Sequence, residues 1–183
     1  VLEGILELHE MHGLKADEID RIEIEIFDVA YQIIGGGEEG DKAVVRTKEE
    51  ADHSLPYLVA VAILDGRVTP EQFHPERIHR GDVQALLRRV LVRPRQAYSD
   101  LFPDRMPCRI TILLRDGQVL VKEKEDYEGF HTRPMRWPVV LQKFERLAAP
   151  HADPPLRRAI AGAVANVEST RVKELTELLS NVH

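Results

Sequence analysis

The sequence predicts an α+β fold: a small antiparallel or mixed sheet with helices on one face, followed by a helical C-terminal tail. Ile22, Ile24 and Ile26 alternate strictly with Glu23 and Glu25, a period of two that sends isoleucines to one side of a strand and carboxylates to the other. Asp116-Gly117 separates Ile110–Arg115 from Gln118–Lys124, the strongest hairpin signal in the chain. A type I′ turn with positive φ at both residues is expected there. Strands are thus grouped between helical segments, the α+β pattern, and no internal repeat or low-complexity tract interrupts them.

Taken in order, Leu2, Ile5, Leu6, Leu8 and Met11 recur at helical spacing with Gly13 as a C-cap, so a helix over about residues 1–12 opens the chain. Val1 falls inside that helix with neither an initiator Met nor a cap before it, and a missing upstream segment is expected. Gly35, Gly36 and Gly37, followed by Glu38, Glu39, Gly40 and Asp41, read as a flexible acidic loop. A phosphate cradle needs a following Lys-Ser/Thr and no carboxylates, so nucleotide binding is not expected there. Thr47 and Glu50 have capping-box spacing. Ser54 precedes Pro56, and Tyr57 to Leu64 is apolar on nearly every side until Asp65-Gly66 stops it, which predicts the most buried helix of the chain. Thr69-Pro70-Glu71 reads as a further N-cap, with a helix at about 81–89 and a strand at Val90–Val92 after it. Pro134 and Pro138 mark a change of regime. Beyond them Val140, Phe144 and Leu147, then Ile160, Val164 and Val167, then Val172, Leu175, Leu178 and Leu179 mark three helices. Two segments are therefore expected, residues 1–136 as the α+β domain and 137–183 as the helical tail.

Composition narrows the function classes. The 183 residues are 43% hydrophobic, enough for one core or for a compact domain with a helical appendage. Lys and Arg number 25 against 31 Asp and Glu, and no basic run is interleaved with aromatics, so nucleic acid is not an expected partner. The longest apolar stretch, Leu55–Leu64, is about half the length of a membrane-spanning helix. A soluble, cytoplasmic protein without a membrane partner is expected. The lone Cys108 excludes an internal disulfide framework and a multi-cysteine metal site, and reads as a small buried hydrophobe in a strand. His9 and His12 lie three apart rather than four and read as solvated. His74, His79, His151 and His183 have no companions at ligand spacing, so no metal is expected.

Two clusters stand out as chemistry. Asp52-His53-Ser54 places three hydrogen-bonding side chains before the most apolar helix, and two readings stand. Asp52 or Ser54 can simply cap that helix, or the cluster can receive an anion such as a carboxylate at the helix's positive end. Glu128 to Met135 is a loop carrying His131 and Arg133; Arg133 can grip a carboxylate or stay solvated.

These residues carry a resemblance. Thr47-Lys48-Glu49-Glu50-Ala51-Asp52-His53-Ser54-Leu55-Pro56-Tyr57, with Val59 to Gly66 after it, resembles the signature of the MmgE/PrpD family. His12-Gly13-Leu14 through Ile24, Arg109-Ile110-Thr111-Ile112 through Gly117, and Pro134-Met135-Arg136-Trp137 through Lys143-Phe144 resemble other segments of its smaller domain. The resemblance spans about residues 12–150 and implies the C-terminal, lid-forming portion of a 2-methylcitrate dehydratase-like lyase of propionate metabolism. Such enzymes act on di- and tricarboxylates by proton abstraction and loss of water, or as cis-aconitate decarboxylases or iminodisuccinate epimerases, without a usual metal or organic cofactor. The groups that move protons belong to a helical domain upstream. By the resemblance, then, no residue of this chain is catalytic, it is inactive without that helical domain or subunit, and Asp52, His53, Ser54 and Arg133 are the substrate-binding candidates, with Arg109 behind them. The apolar stripes of the tail need a partner, so a homo-oligomer, or partial disorder after residue 150, is expected. The alternative is a stand-alone, non-catalytic binding or interaction module derived from the same lid.

Overall fold

The computed structural model describes residues 1–37 and 40–183. Glu38 and Glu39 of the expected acidic loop lie outside the described residues. The chain forms two compact units, Val1–Tyr127 and Glu128–His183.

In the first unit the elements run α1 (Leu2–His12), β1 (Ile19–Ile26), the single turn α2 (Asp28–Ala30) continuing as a π-helical turn (Tyr31–Gly35), α3 (Lys48–Asp52) and α4 (Leu55–Asp65). A 3-10 turn (Pro70–Phe73), α5 (Pro75–Ile78), α6 (Gly81–Leu87), β2 (Val90–Pro94), α7 (Gln96–Ser99), β3 (Cys108–Leu114) and β4 (Val119–Lys124) complete it. The sheet order is β2-β1-β3-β4, with β1 parallel to β2 and antiparallel to β3, and β3 antiparallel to β4. It is a mixed sheet with helices on one face.

Register explains why it has one dry face. Ile22, Ile24 and Ile26 stand opposite Ile112, Ile110 and Cys108, and residues directly opposite share a face, so a continuous apolar row crosses the two central strands. All six are buried. On the reverse face Glu25 stands opposite Arg109, and Arg109 opposite Glu123; Arg109 pairs with Glu123 at 2.8 Å and approaches Glu25 at 3.9 Å. That face is a charged ladder open to solvent.

Helices α1 and α4 cover the dry face. In α4, Tyr57 and Val59 through Ile63 are all buried, because a helix without a polar side can only sit where neighbours surround it; α1, α3, α6 and β2 do so. Close approach of α1 depends on Gly4, where a Cβ would fall 2.7 Å from Ile110 Cδ1. Glu7 then ties α1 to the edge strand, meeting Lys122 at 2.5 Å and Lys124 at 2.7 Å. Both helices end on left-handed glycines, Gly13 (φ 59) and Gly66 (φ 64), conformations that a Cβ disfavours.

Three local expectations are corrected. The β3–β4 turn is not type I′: only Gly117 (φ 90) has positive φ, and Asp116 does not. Leu114 N–H donates to Gln118 O (2.8 Å) and Gly117 N–H to Leu114 O (3.0 Å), a three-residue loop in which a type I turn is followed by a left-handed glycine. The Asp116 carboxylate accepts from Gln118 N–H at 2.9 Å, a local bond that holds Asp116 in an ordinary conformation. His9 is not solvated: its Nδ1 is buried without a hydrogen-bond partner among the described residues, and its ring lies beside Gly66. Met11, on the apolar side of α1 by helical spacing, is 68% exposed.

In the second unit a loop leads to α8 (Trp137–Ala148), α9 (Pro154–Ala165) and α10 (Val172–Leu179). Pro138 and Pro154 occupy first turns, where a missing N–H costs nothing, and Asp153 caps α9 by accepting from Leu156 N–H at 2.8 Å. Trp137, Val140, Leu141 and Phe144 of α8 face Ile160, Ala161 and Val164 of α9 around a small apolar cleft of about 140 Å³. Arg157 joins the two helices through Glu145 at 2.6 Å.

Ile24→Ala is expected to destabilise the chain by about 2–5 kcal/mol, the usual cost of emptying a core site. Glu23→Ala, on the wet face, is expected to change stability by less than about 1 kcal/mol. Urea unfolding of both variants checks the contrast.

Candidate functional site

The Asp52-His53-Ser54 segment is the joint between α3 and α4, and the sequence dictates why. Thr47 and Glu50 start α3 as a reciprocal box: Glu50 N–H donates to Thr47 Oγ1 and Thr47 N–H to Glu50 Oε2, both at 3.2 Å. Pro56 cannot continue that helix inward, so the chain must break before it and restart. His53 (φ −104, ψ 18) ends α3 and Ser54 (φ −117, ψ 106) caps α4.

Adjacent in sequence, the three side chains have different fates. Ser54 is fully buried; its Oγ accepts from Tyr57 N–H at 3.1 Å and donates to the Lys42 carbonyl oxygen at 2.5 Å. With donor and cap acceptor both engaged, it positions the site. His53 and Asp52 are 60% and 40% exposed. The His53 Nδ1 meets the Asp52 carboxylate in a short contact and the Glu49 carbonyl at 3.2 Å. These oxygens place the proton on Nδ1.

That geometry raises the His53 pKa above its ordinary value. The Asp52 hydrogen bond is the main cause, then the Glu49 carbonyl and the Asp52 charge, while the Lys42 ammonium opposes it. A raised value means that the imidazolium persists to higher pH than in an unfolded chain. Its contribution to stability is full below the ordinary pKa and is lost as pH rises through the raised one. An exposed imidazolium held by its far nitrogen is a charge-assisted donor to an incoming anion.

The sequence reading missed a polar network at the other end of α4. Arg77, 13% exposed, grips Asp65 twice, Nε to Oδ2 at 2.9 Å and Nη2 to Oδ1 at 2.6 Å, and reaches Asp82 at 3.0 Å. Gln72 donates to Asp65 Oδ2 at 3.0 Å, and the Tyr57 hydroxyl donates to the Gln72 carbonyl. Burial pushes Tyr57 up to about 12. Burial also raises Asp65, but its bonds to Arg77 and Gln72 outweigh this and leave its pKa lowered. With its charges paired, the network closes a helix end. Its one sequence signal was Thr69-x-x-Gln72, whose capping box forms; the distant Arg77 left none.

Arg109 lies on the open face of the sheet in ion pairs, away from the face that α4 covers. Arg133 belongs to the second unit, in a loop closed by Gly129 N–H to Arg133 O (2.8 Å) and Arg133 N–H to Phe130 O (2.9 Å). Asp52, His53 and Ser54 are brought together within the first unit. Among the described residues no group of three His, Cys, Asp or Glu could hold a metal, and no helix is long and apolar enough to cross a membrane.

Asp52→Asn is expected to return the His53 pKa toward 6.5, which an NMR titration of the ring protons measures directly. Ser54→Ala is expected to cost about 1–2 kcal/mol through loss of the cap, read from the urea midpoint.

Comparison with known proteins identifies the lineage. Residues 1–169 match the MmgE/PrpD C-terminal domain. The chain is 28% identical to cis-aconitate decarboxylase of Mus musculus over 134 residues, 73% of this chain and 26% of that protein. It is 25% identical to the mitochondrial 2-methylcitrate dehydratase of Yarrowia lipolytica over 173 residues, 91% of this chain and 32% of that protein. With the 2-methylcitrate dehydratase of Cupriavidus necator it shares 26% identity over 190 residues, 97% of this chain and 38% of that protein. The chain spans between 26% and 38% of the length of these relatives. With the family match covering nearly its whole length and the mixed sheet carrying the joint at Asp52-His53-Ser54, the chain belongs to the MmgE/PrpD family of lyases, as its C-terminal domain.

Proposed function

We propose that this chain is the lid-forming part of a 2-methylcitrate dehydratase-like lyase. It acts on a di- or tricarboxylic acid by proton abstraction beside a carboxylate and elimination of water, and turns substrate over only together with a helical domain. The observation that carries the reading is His53, clamped through Nδ1 by Asp52 and Glu49 with its side chain 60% exposed. Removing a proton next to a carboxylate drives negative charge onto that carboxylate. A cation fixed beforehand at its oxygens is therefore worth more in the transition state than in the ground state. His53 supplies such a cation, Asp52 keeps it protonated and oriented, and Ser54 holds the joint that presents it.

The relatives fit this chemistry at the level of their names, since cis-aconitate and 2-methylcitrate are polycarboxylates. Arg133, in the second unit, remains a substrate-binding candidate in its own right. The exposed apolar residues of the tail, Trp137, Val164, Val172 and Leu179 among them, favour burial against a helical domain or a second copy of the chain.

The test is an enzyme assembled from this chain and a helical domain of the family, assayed with 2-methylcitrate. His53→Ala is expected to lower kcat/KM about 10- to 100-fold, the worth of one charge-assisted hydrogen bond, with the circular-dichroism spectrum unchanged. Full activity in that variant would refute the role of His53. Carboxylate binding without turnover in the assembled protein would favour a non-catalytic binding module.

A further inference from the structure

The open face of the four-stranded sheet carries a pattern that reads the same from both edges. Register aligns its side chains in rows. Arg93, Glu25, Arg109 and Glu123 form the first row, from β2 through β1 and β3 to β4. Leu91, Glu23, Thr111 and Val121 form the second, and Arg21, Leu113 and Val119 continue a third from β1 to β4. The first row alternates in sign, so each charge has an opposite charge beside it in its own sheet. Arg109 bonds Glu123 at 2.8 Å, and in the second row Glu23 is held by Arg21 at 2.8 Å. A sheet face left to water ordinarily shows polar side chains. Here Leu91, Val121 and Val119 are 42%, 45% and 52% exposed, and the first two stand at opposite ends of one row.

Such a face is complementary to itself. Two identical faces that pack together are related by a two-fold axis lying between them, and each patch then meets its own copy. With the axis along the strands, midway between β1 and β3, β2 of one copy covers β4 of the other and every row meets itself reversed. Arg93 then faces Glu123 and Glu25 faces Arg109, so all four charges of the row meet opposite charges. Leu91 faces Val121, and Glu23 faces the Thr111 hydroxyl. Stacked sheets lie about 10 Å apart, a gap that an arginine and a glutamate bridge together. An axis across the strands does none of this: it sets Glu23 against Glu23 and lays Arg109 on Leu113 and Glu123 on Val119, an arrangement that repulsion and unpaired charge disfavour. We propose that the open face of the sheet is a homodimer interface, with β2 of one copy over β4 of a second. The contact is independent of the role given to His53. Because the charges enter it already beside opposite neighbours, no lone ion has to shed its water.

Sedimentation equilibrium of the full chain, from micromolar to millimolar concentration, tests the proposal. The wild type is expected to pass from monomer to dimer over that range. Arg93→Glu sets a glutamate over Glu123 at both ends of the interface, and Glu123→Arg sets an arginine over Arg93. Each variant alone is expected to dimerise at least about tenfold more weakly, with its circular-dichroism spectrum unchanged. Mixed in equal amounts, the two variants present glutamates to arginines at both ends, so a heterodimer as tight as the wild-type dimer is expected. Arg93 and Glu123 lie on opposite edge strands, so a local effect within one chain cannot produce that rescue. A wild type that stays monomeric throughout would overturn the proposal. Variants that dimerise as tightly as the wild type would overturn it as well and assign the association to another surface, such as the apolar tail. Weakened variants whose mixture does not recover would overturn the pairing of β2 with β4.

Discussion

Helix α4 has no polar side to turn to water, and the first unit is arranged around that fact. The dry face of the sheet lies under it, α1 and α6 flank it, and Gly4 lets α1 come close enough to close the layer. Such a helix still has polar ends, and each must be satisfied without solvent. At the N-terminus the Ser54 hydroxyl serves Tyr57 N–H and the Lys42 carbonyl together. At the C-terminus Gly66 turns the chain while Asp65, Gln72 and Arg77 complete one another. The joint at Asp52-His53-Ser54 is thus a by-product of burying α4: the residue that must cap the helix also fixes what stands on either side of it.

Electrostatics then separates two sites that look alike in composition. Arg77 sits between two aspartates with its donors engaged, so its charge is neutralised where it lies. His53 meets the Asp52 carboxylate at Nδ1 on a ring that is 60% exposed, so a proton held there sits at the surface instead of between buried partners.

Features set by neighbouring residues were readable from sequence, and features set by tertiary approach were not. The alternation at Ile22–Ile26, the Thr47/Glu50 box, the glycine stops at Gly13 and Gly66 and the three helices of the tail are local patterns, and each formed. The β3–β4 turn was misread because a side-chain bond from Asp116 competed with the backbone preference of the dipeptide. His9 and Met11 were misplaced because helical spacing tells which residues share a face but not how wide the covered stripe is. At the site, the motif was visible while its division of labour was not. Ser54 is withdrawn and His53 presented by a bond to residue 42, twelve positions away, and no periodicity encodes that.

Strand β4 is an edge of the sheet, and edges recruit stray strands. Here Lys122 and Lys124 do not stand out from the edge but bend onto α1, held by Glu3 and Glu7. A foreign strand laid along β4 would have to seat its own side chains beside ammonium groups already committed to α1 carboxylates. The contacts that dock the first helix therefore also guard the sheet against templated growth, so loosening α1 would do more than expose core: it would open a seam for aggregation.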